Sequence, residues 1–546
     1  MKLIARILLL VSLAVTLAHA QTQSLVHFQH IIVLVQENRT PDNLFGSNPT
    51  FEAGVNLVQP AGGQWCLGAC FDPSHSHAAW ENDYSPNWCN PKYANAGACT
   101  AKATYCNFEE VGPGVGELPV PSCPQETYVS GGYDNSVIYP YFEIAKTYGF
   151  ANYMFQTNQG PSMPAHEFLF AGTSAPLGNP SLPGYNDFQA DNPLGNLQEN
   201  TGCTAPSGET VPLINPSGQE SGSGGPAAIF PCLHDNSLPT LLDAKSISWK
   251  YYTDQVAGST NGIWNAPAAI YAICQPNMPT GGQCVGPDYT NNVVVNNPTQ
   301  VLSDLGVDGG TCDLPAVSWV VPPGDRTDHP GFGKNQTEST ATEGGPSWIA
   351  DVINAVGQSP CQNEDTSSYW NTTAILVTWD DWGGFYDHVQ PYEVLVNTAQ
   401  QPCAVFGCGY VSGFRVPLLV ISAYTPEGYV SGAVPSGGGN SPPSSCPITT
   451  TPQYCHDFGS ILAFMEYNFL GLSEVGQINP QYRFADAFAP DSANGNIPLS
   501  DFFPIPSTQP RSFTAIYLPP GAPTATDYIN YTGPITDPDN DAIDND

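Results

Sequence analysis

Two apolar runs rich in β-branched residues each end at acidic side chains in this chain. One run, 31–35, leads into Glu37, and the other, 374–378, leads into Asp380. Runs of this length and composition predict buried β-strands. The same patterns predict further buried strands at 317–321 and 416–422, and helices at 139–148, 238–244, 348–356 and 460–469. Strands that alternate with helices in this way predict an α/β fold around a central sheet.

The two acidic strand ends suggest a site for a divalent cation. In open α/β sheets ligands bind beyond the carboxyl ends of the strands, so Glu37 and Asp380 are expected to meet. Asn38 and Asp381 follow them, and carboxylate and amide oxygens suit a hard divalent cation. Adjacent carboxylates repel one another unless a cation or hydrogen-bond donors compensate them. An ordinary turn or helix cap accounts for the same residues and, taken alone, is the commoner explanation.

Ser162 is the candidate nucleophile, in the segment GPSMPAH. Pro161 and Pro164 stiffen a turn that opens onto a helix-like stretch at 165–171. Amide donors and the positive end of the helix dipole would favour a phosphate anion beside this hydroxyl. A nearby cation would lower the pKa of the hydroxyl and make it a usable nucleophile. The motif by itself also fits a helix-capping serine, which is the more common case.

Five segments occur in an order that is typical of one protein family. They read HIIVLVQENRTPDNLFG, DPSHSHAAW, NQGPSMPAHEFLFAGTS, TDHPG and TWDDWGGFYDHV, and with GFRVPLLVISAYTPEGYVS they extend from about His30 to Ser431. The set resembles the phosphoesterase family of bacterial-type acid phosphatases and phospholipases C. That family is similar in fold to the alkaline phosphatase superfamily. The resemblance therefore implies a central β-sheet sandwiched by helices, in agreement with the order of elements.

The resemblance implies a metal site and a nucleophile at matching positions of this chain. The implied ligands of a divalent cation are Glu37, Asn38, Ser162, Asp380 and Asp381. Their oxygen atoms favour calcium, magnesium or manganese over a soft metal. Asp381 is a departure, because family members often carry glutamate there, and its shorter side chain can shift it away from the metal. Ser162 is implied to attack phosphorus and to form a phosphoserine intermediate.

Histidines and an aspartate complete the implied site. His75 and His329 match family residues that contact the phosphoryl group or protonate the leaving oxygen, which suits a side chain that titrates near neutral pH. His77 lies close enough in sequence to take the part of His75. Asp328 is expected either to orient His329 or to cap the following turn.

Further positions show how closely this chain matches the family. His388 also matches and is expected beside the site rather than in it, with Asp387 as its local partner. Gly383 and Gly384 would allow the backbone to pass close to the site. Ala165 stands where the family carries asparagine, so a hydrogen bond to the substrate from that position is expected to be absent.

The chain is expected to be exported and to form one domain. Residues 1–20 have the basic start, apolar run and small-residue cleavage pattern of a signal peptide. Residues 21–535 are assigned to a single phosphoesterase domain, with polar, glycine- and proline-rich insertions near 184–232 and 257–315. These insertions either shape a substrate pocket as lids or are surface loops, and the sequence favours neither. Residues 536–546 form an acidic tail.

The cysteine content indicates where the protein is located, and its net charge limits the partners that it can bind. An exported chain meets an oxidising compartment, so its 16 cysteines are expected to form disulfides in a secreted or periplasmic protein. The apolar run of the signal peptide is shorter than the ~20 residues that span a bilayer, which argues against a stable membrane anchor. With 13 basic and 49 acidic residues the net charge is -36, and such a field repels nucleic acid.

The predicted function is hydrolysis of phosphate esters by a secreted, metal-dependent phosphoesterase of the acid phosphatase or phospholipase C type. The substrate would be a small phosphoester or a phospholipid, and the site motifs do not separate these two. One alternative is a non-catalytic exported binding protein on the same fold. Another is a sulfatase-like hydrolase, although CNPKY lacks the arginine of the sulfatase signature. The sequence leaves the oligomeric state open.

Overall fold

A computed structural model gives the fold of the chain. It describes residues 27–58, 75–84, 138–176, 187–193, 201–215, 220–221, 225–253, 262–295, 297, 299–322, 326–329, 344–385, 387–392, 411–434, 446, 454–478, 485–503, 510–520, 522 and 524–529. The predicted signal peptide at 1–20 and the acidic tail at 536–546 lie outside these residues.

A mostly parallel β-sheet organises the described chain. In chain order the strands are β1 (His30–Gln36), β2 (Gly149–Ala151), β3 (Met154–Phe155), β4 (Phe188–Gln189), β5 (Leu213–Ile214), β6 (Trp249–Tyr252), β7 (Val293–Val294), β8 (Val317–Val320), β9 (Thr373–Trp379), β10 (Leu418–Ser422), β11 (Tyr429–Ser431) and β12 (His456–Asp457). The main sheet has the order β11-β2-β10-β9-β1-β8-β6-β7. Strand β10 runs antiparallel to β9 and β2, and the other neighbouring pairs are parallel.

The helices occupy the connections between these strands. In chain order they are α1 (Pro41–Phe45), α2 (His77–Tyr84), α3 (Tyr139–Thr147), α4 (Ser162–Ala171), α5 (Leu238–Ala244), α6 (Ala266–Ala269), α7 (Tyr271–Cys274), α8 (Pro287–Asn292), α9 (Gln300–Asp304), α10 (Gly345–Gln358), α11 (Tyr369–Thr372), α12 (Phe458–Leu470), α13 (Ala485–Phe488) and α14 (Ala525–Ile529). The four strands and four helices predicted from periodicity are confirmed to within a few residues. Helix α4 begins at Ser162 rather than Ala165, because proline is tolerated in the first turn of a helix.

Helices cover both faces of the sheet. Strand β1 lies between β8 and β9, and its register pairs Val33 with Trp319 and Gln36 with Trp379. Because side chains alternate between faces along a strand, Trp319 and Trp379 point to opposite faces. The Trp319 indole donates to a backbone carbonyl of α4 (3.0 Å), whereas the Trp379 ring contacts Tyr141 of α3. The predicted α/β sheet flanked by helices is confirmed.

The pairing of β1 with β9 brings the two acidic strand ends together. Gln36 and Trp379 are the last paired residues, so Glu37 and Asp380 leave the sheet side by side. The N–H of Asp380 still donates to the carbonyl of Gln36 (2.9 Å), which extends the ladder by one bond. The expectation that these two carboxylates meet is confirmed.

Disulfides fasten the long segments between the core elements. The described pairs are Cys203–Cys232, Cys274–Cys284, Cys312–Cys361 and Cys446–Cys455. No free cysteine occurs among the described residues, so the predicted oxidation is confirmed for these eight. The other eight cysteines lie outside the described residues. None of the described helices is both long and apolar enough to span a bilayer.

Two acidic side chains share a buried position between α12 and α13. Glu466 and Asp486 lie within hydrogen-bonding reach of one another, and each is buried in the core. Backbone amides of Gly476 and Ile478 donate to Glu466 and Asp486 respectively. Burial, and then the charge of Asp486, raises the pKa of Glu466 well above its ordinary value. Burial also raises the pKa of Asp486, so the folded pair retains a shared proton at neutral pH.

We expect this pair to make the protein less stable as the pH rises. In the unfolded chain the glutamic acid titrates near ~4.3, whereas its folded pKa is raised. The stabilisation is therefore complete below about pH 4 and is lost at higher pH, by up to ~1.4 kcal/mol per pH unit for one proton. Glu466→Gln supplies a permanent amide donor to Asp486 and should remove this component.

Urea unfolding at about pH 5 and about pH 8 measures the effect, which follows from the linkage of proton binding to stability. The free energy of unfolding of Glu466→Gln, relative to the wild type, should increase with pH. Glu364→Gln, at an exposed position, is the control and should follow the wild type. An equal pH dependence in all three proteins would contradict the shared proton.

Candidate active site

The acidic strand ends form a buried cluster that backbone amides partly compensate. Glu37, Asp380 and Asp381 are fully buried. The N–H groups of Asn38 and Asp381 donate to Asp380 Oδ1 at 3.1 and 2.7 Å. The N–H of Gly383 donates to Asp381 Oδ1 at 2.7 Å. Amide donors lower the repulsion between neighbouring carboxylates but add no net positive charge.

The loops that carry these side chains pass each other at close range. Asn38 has a φ of 58°, in the left-handed region that asparagine tolerates better than most residues. Gly383 and Gly384 have φ values of 61° and 69°. A Cβ on Gly383 would lie 2.5 Å from the carbonyl oxygen of Asn38, so only glycine fits there. The predicted close passage of the backbone at this glycine pair is confirmed.

Helix α4 brings Ser162 into the carboxylate cluster. Pro161 occupies the N-cap position and Ser162 is the first helical residue, with only 1% of its surface exposed. Its Oγ lies 3.4 Å from Glu37 Oε2 and 3.4 Å from Asp381 Oδ2. These contacts exceed the ~2.7–2.8 Å of an ordinary O–H···O bond. The hydroxyl therefore lies between two carboxylates without a short hydrogen bond to either.

His166 also lies in this cluster, although it was not among the site residues predicted from the sequence. It lies one helical turn after Ser162 and is fully buried, with Nε2 3.1 Å from Glu37 Oε1 and 3.8 Å from Asp380 Oδ2. Burial lowers the pKa of His166 to about 4 against the opposing charge of Asp380, so the imidazole is neutral at neutral pH. The signal for it was the spacing of four residues from Ser162, because such residues share one face of a helix.

Buried oxygen atoms without hydrogen-bond partners indicate, independently of the family resemblance, that a divalent cation fits this cluster. Asn38 Oδ1 and Asp380 Oδ2 are buried and accept no hydrogen bond from any residue that the structure describes. Buried oxygens are normally paired, so unpaired acceptors within a cluster of three carboxylates fit a positive partner. Ligand atoms of Glu37, His166 and Asp380 lie within 4.8 Å of one another. Carboxylate and amide oxygens with one imidazole nitrogen match the donors of common divalent ions.

His75 and His329 lie next to this cluster. The amide of Asn38 donates to His75 Nε2 at 3.2 Å, and the ring centroids of His75 and His329 are 6.1 Å apart. His77 turns away, because its Nδ1 lies 2.7 Å from the carbonyl of Gln159. Burial lowers the pKa of His77 to about 4. Of the two neighbouring histidines, His75 is therefore the one that contacts the cluster.

Asp328 anchors the loop that carries His329. Its Oδ2 accepts hydrogen bonds from the Tyr141 hydroxyl (2.7 Å) and the Trp379 indole (2.9 Å). The N–H of Asp328 donates to the Gln36 side chain at 2.9 Å. Helix α3 and strand β9 thus engage its carboxylate, and its expected role, to orient His329 or to cap the following turn, stays a prediction.

His388 belongs to a neighbouring ion-pair network. Its Nδ1 lies 2.6 Å from Asp42 Oδ2, so Asp42 is its partner and the expectation of Asp387 is wrong. The guanidinium of Arg415 donates two hydrogen bonds to the Asp387 carboxylate, at 2.8 and 2.9 Å. Such a bidentate pair is stronger than a single contact with an imidazole. These acidic and histidine side chains could also hold a metal ion by their spacing. Arg415 already supplies the positive charge in this network, so we interpret the network as a structural support for the neighbouring site.

Comparison with known proteins places the chain among phosphoesterases. A model of the phosphoesterase family matches residues 28–472, a range that includes every residue of the site described above. The chain belongs to the phosphoesterase family. The family inferred from the ordered segments is thereby confirmed.

Bacterial phospholipases C are among the relatives of this phosphoesterase-family chain. It is 28% identical over 229 residues to phospholipase C B of Mycobacterium tuberculosis, a match that covers 39% of each chain. Phospholipase C A of the same organism is 25% identical over 456 residues, or 73% of this chain and 69% of the relative. Non-hemolytic phospholipase C of Pseudomonas aeruginosa is 23% identical over 444 residues, or 76% and 53%. The match thus spans less than two thirds of the first and last of these relatives.

We expect Glu37→Gln and Asp380→Asn each to weaken divalent-cation binding strongly, because each removes a charged ligand from the cluster. Elemental analysis after dialysis and calorimetric titration of the metal-free protein measure the loss. Asp313→Asn, at an exposed acidic residue, is the control for the change in net charge and should bind as the wild type does.

A second comparison separates the two acidic and histidine clusters. Asp387→Asn changes the network around Arg415 and should leave the metal stoichiometry unchanged. Full cation content in both Glu37→Gln and Asp380→Asn, with loss in Asp387→Asn, would move the metal site to that network.

Proposed function

We propose that this member of the phosphoesterase family hydrolyses phosphate esters, with Ser162 as a covalent nucleophile and a divalent cation as cofactor. The position of Ser162 carries the proposal, since its Oγ lies 3.4 Å from carboxylate oxygens of both Glu37 and Asp381 at the start of a buried helix. The phospholipase C relatives support a phosphate ester as the substrate and hydrolysis as the reaction.

The residues that would hold the cation surround Ser162 at the strand ends. They are Glu37, Asn38, Ser162, His166, Asp380 and Asp381. When bound, a divalent cation stabilises charge on phosphoryl oxygens and lowers the pKa of a nearby hydroxyl. Calcium, magnesium and manganese suit the oxygen donors, and an imidazole donor favours manganese over the other two.

Ser162 is oriented for attack by the two carboxylates that flank its hydroxyl. As the bond from Oγ to phosphorus forms, the hydroxyl proton passes to Glu37 or Asp381, and the bond from phosphorus to the ester oxygen breaks with its electron pair. His75 or His329 donates a proton to that departing oxygen. Water then attacks the phosphoserine and gives a proton to the same histidine, the phosphorus–Oγ bond breaks, and the carboxylate returns the proton to the serine oxygen.

His166 faces the same cluster as a neutral imidazole. Its Nε2 lies 3.1 Å from Glu37 Oε1, and Glu37 Oε2 faces Ser162. The Nδ1 atom lies 3.4 Å from the Tyr251 hydroxyl, whose own proton is donated to the carbonyl of Trp264 at 2.7 Å. With Nδ1–H donating towards the Tyr251 oxygen, the Nε2 lone pair faces the carboxylates, so the neutral imidazole would serve as a cation ligand and adds no competing positive charge.

The substrate class follows from the relatives and the location from the cysteines. We propose a small phosphoester or a phospholipid, hydrolysed outside the cytoplasm, where the described disulfides would be stable. Assays with p-nitrophenyl phosphate, p-nitrophenylphosphorylcholine and a sulfate ester, with and without a chelator, separate the possibilities. Turnover of either phosphate ester that chelation abolishes supports the proposal. Turnover of the sulfate ester alone, or turnover that survives chelation, would replace it.

We expect Ser162→Ala to fold and to lose at least about a thousandfold in kcat, as enzymes do when a covalent nucleophile is removed. Brief reaction of the wild type followed by acid quenching should leave one phosphoryl group on the peptide that contains Ser162, as detected by mass spectrometry. Ser347→Ala is a matched control, because Ser347 follows the same Gly-Pro pair in the first turn of helix α10. It should retain wild-type turnover.

Substantial activity in Ser162→Ala, together with no phosphorylated peptide in the wild type, would contradict the covalent mechanism. That result would leave a water molecule as the direct nucleophile and reduce Ser162 to a residue of the helix start.

A further inference from the structure

The segment 187–193 reaches from the first long insertion to helix α4. Strand β4 pairs with β5, and the N–H of Gln189 donates to the carbonyl of Ser174 just beyond α4 (3.1 Å). The Gln189 side chain also donates to Glu167 Oε1 within α4 at 3.0 Å. The segment is therefore fastened at its base to the helix that carries Ser162.

The same segment presses against the turn that precedes Ser162. A Cβ on Gly160 would lie 2.1 Å from the carbonyl oxygen of Ala190, so only glycine allows this approach. The N–H of His77 donates to Asp191 Oδ1 at 3.0 Å on the other side. Asn192, the next residue, is held between these contacts and is only 3% exposed.

Asn192 holds a hydrogen-bond donor beside the start of α4 that no described residue accepts. Its Oδ1 accepts from the N–H of Met163, the residue directly after Ser162, at 3.0 Å. A backbone N–H can only donate, so this contact fixes which end of the amide is the oxygen. The Nδ2 group is buried and donates to no residue that the structure describes. A buried amide donor left unpaired is unfavourable, so an oxygen of a bound ligand would be a favourable partner for it.

A phosphoryl group bound at Ser162 would need such a donor. Three carboxylates surround the site, and a phosphate ester brings further negative oxygens. Apart from Ser162, the first turn of α4 contributes Met163, Pro164 and Ala165, none of which has a polar side chain. Beyond the backbone N–H groups at the helix start, a side-chain donor for a non-bridging oxygen must therefore come from another segment of the chain.

We propose that Asn192 donates through Nδ2 to a non-bridging oxygen of the phosphoryl group bound at Ser162. The inference rests on the proposed function and assigns to the insertion a substrate-contacting residue. The competing explanation is that Asn192 serves only as an acceptor for the Met163 amide at the start of α4. The two explanations differ in what the nitrogen end of the side chain does.

Asn192→Asp separates them. It keeps an oxygen for the Met163 N–H and exchanges the NH₂ donor for an oxygen that repels the phosphoryl group. With the metal-loaded protein, kcat/KM for p-nitrophenyl phosphate should fall at least about 100-fold, as when one donor to a developing oxyanion is removed. Calorimetric titration with inorganic phosphate should show at least about a tenfold loss of affinity. Asn297→Asp, at an exposed position, controls for the added charge and should match the wild type in both measurements.

Asn192→Ala tests the donor without adding a charge, and it also serves if Asn192→Asp fails to fold. It should weaken phosphate binding in the same direction. Phosphate affinity equal to the wild type in either folded variant would overturn the inference and leave Asn192 as an acceptor only. If the wild type hydrolyses no phosphate ester, the proposed function fails. The phosphate titration still decides the role of Asn192, because anion binding does not require turnover.

Discussion

The parallel pairing of β1 with β9 is the constraint on which the site depends. Its register ends with Gln36 opposite Trp379, so the chain must release Glu37 and Asp380 at the same point of the same edge. Both strands are buried along their whole length, which prevents either from sliding to relieve the repulsion. The loops beyond them adjust instead, and the left-handed conformation of Asn38 is part of that adjustment.

Because the whole molecule is negatively charged, the charge of this carboxylate cluster can be compensated only by groups close to it. The chain carries a net charge of -36, so its overall field opposes any anionic substrate. Around Glu37 the chain supplies neutral groups, namely backbone amides and the uncharged imidazole of His166. Neutral groups leave the negative charge of the carboxylates in place. A divalent cation bound at these carboxylates, as proposed, would supply the positive charge that attracts a phosphate ester to the same point.

Local patterns predicted the sheet and the acidic edge, and they failed where the outcome depended on distant residues. The run before Glu37 is continuous and apolar, so its strand and its buried position could be predicted from the sequence. His166 was missed because the helix was expected from Ala165, which leaves Ser162 outside it and hides their common face. The predicted hydrogen-bond partner of His388 was wrong for a different reason. Asp387 is adjacent in sequence, but Arg415 binds it in the fold, and His388 turns to Asp42.

The same Gly-Pro-Ser triplet begins two buried helices in this chain, and only one of them faces the acidic edge. In α4 the proline is the N-cap, so Ser162 is the first helical residue and its hydroxyl lies 3.4 Å from Glu37. In α10 the cap is Gly344, which shifts Ser347 to the third helical position. A shift of two residues along a helix turns a side chain by about 200°. Identical tripeptides can thus present their serines in different directions, and the position relative to the β1 and β9 strand ends decides which one can meet a substrate.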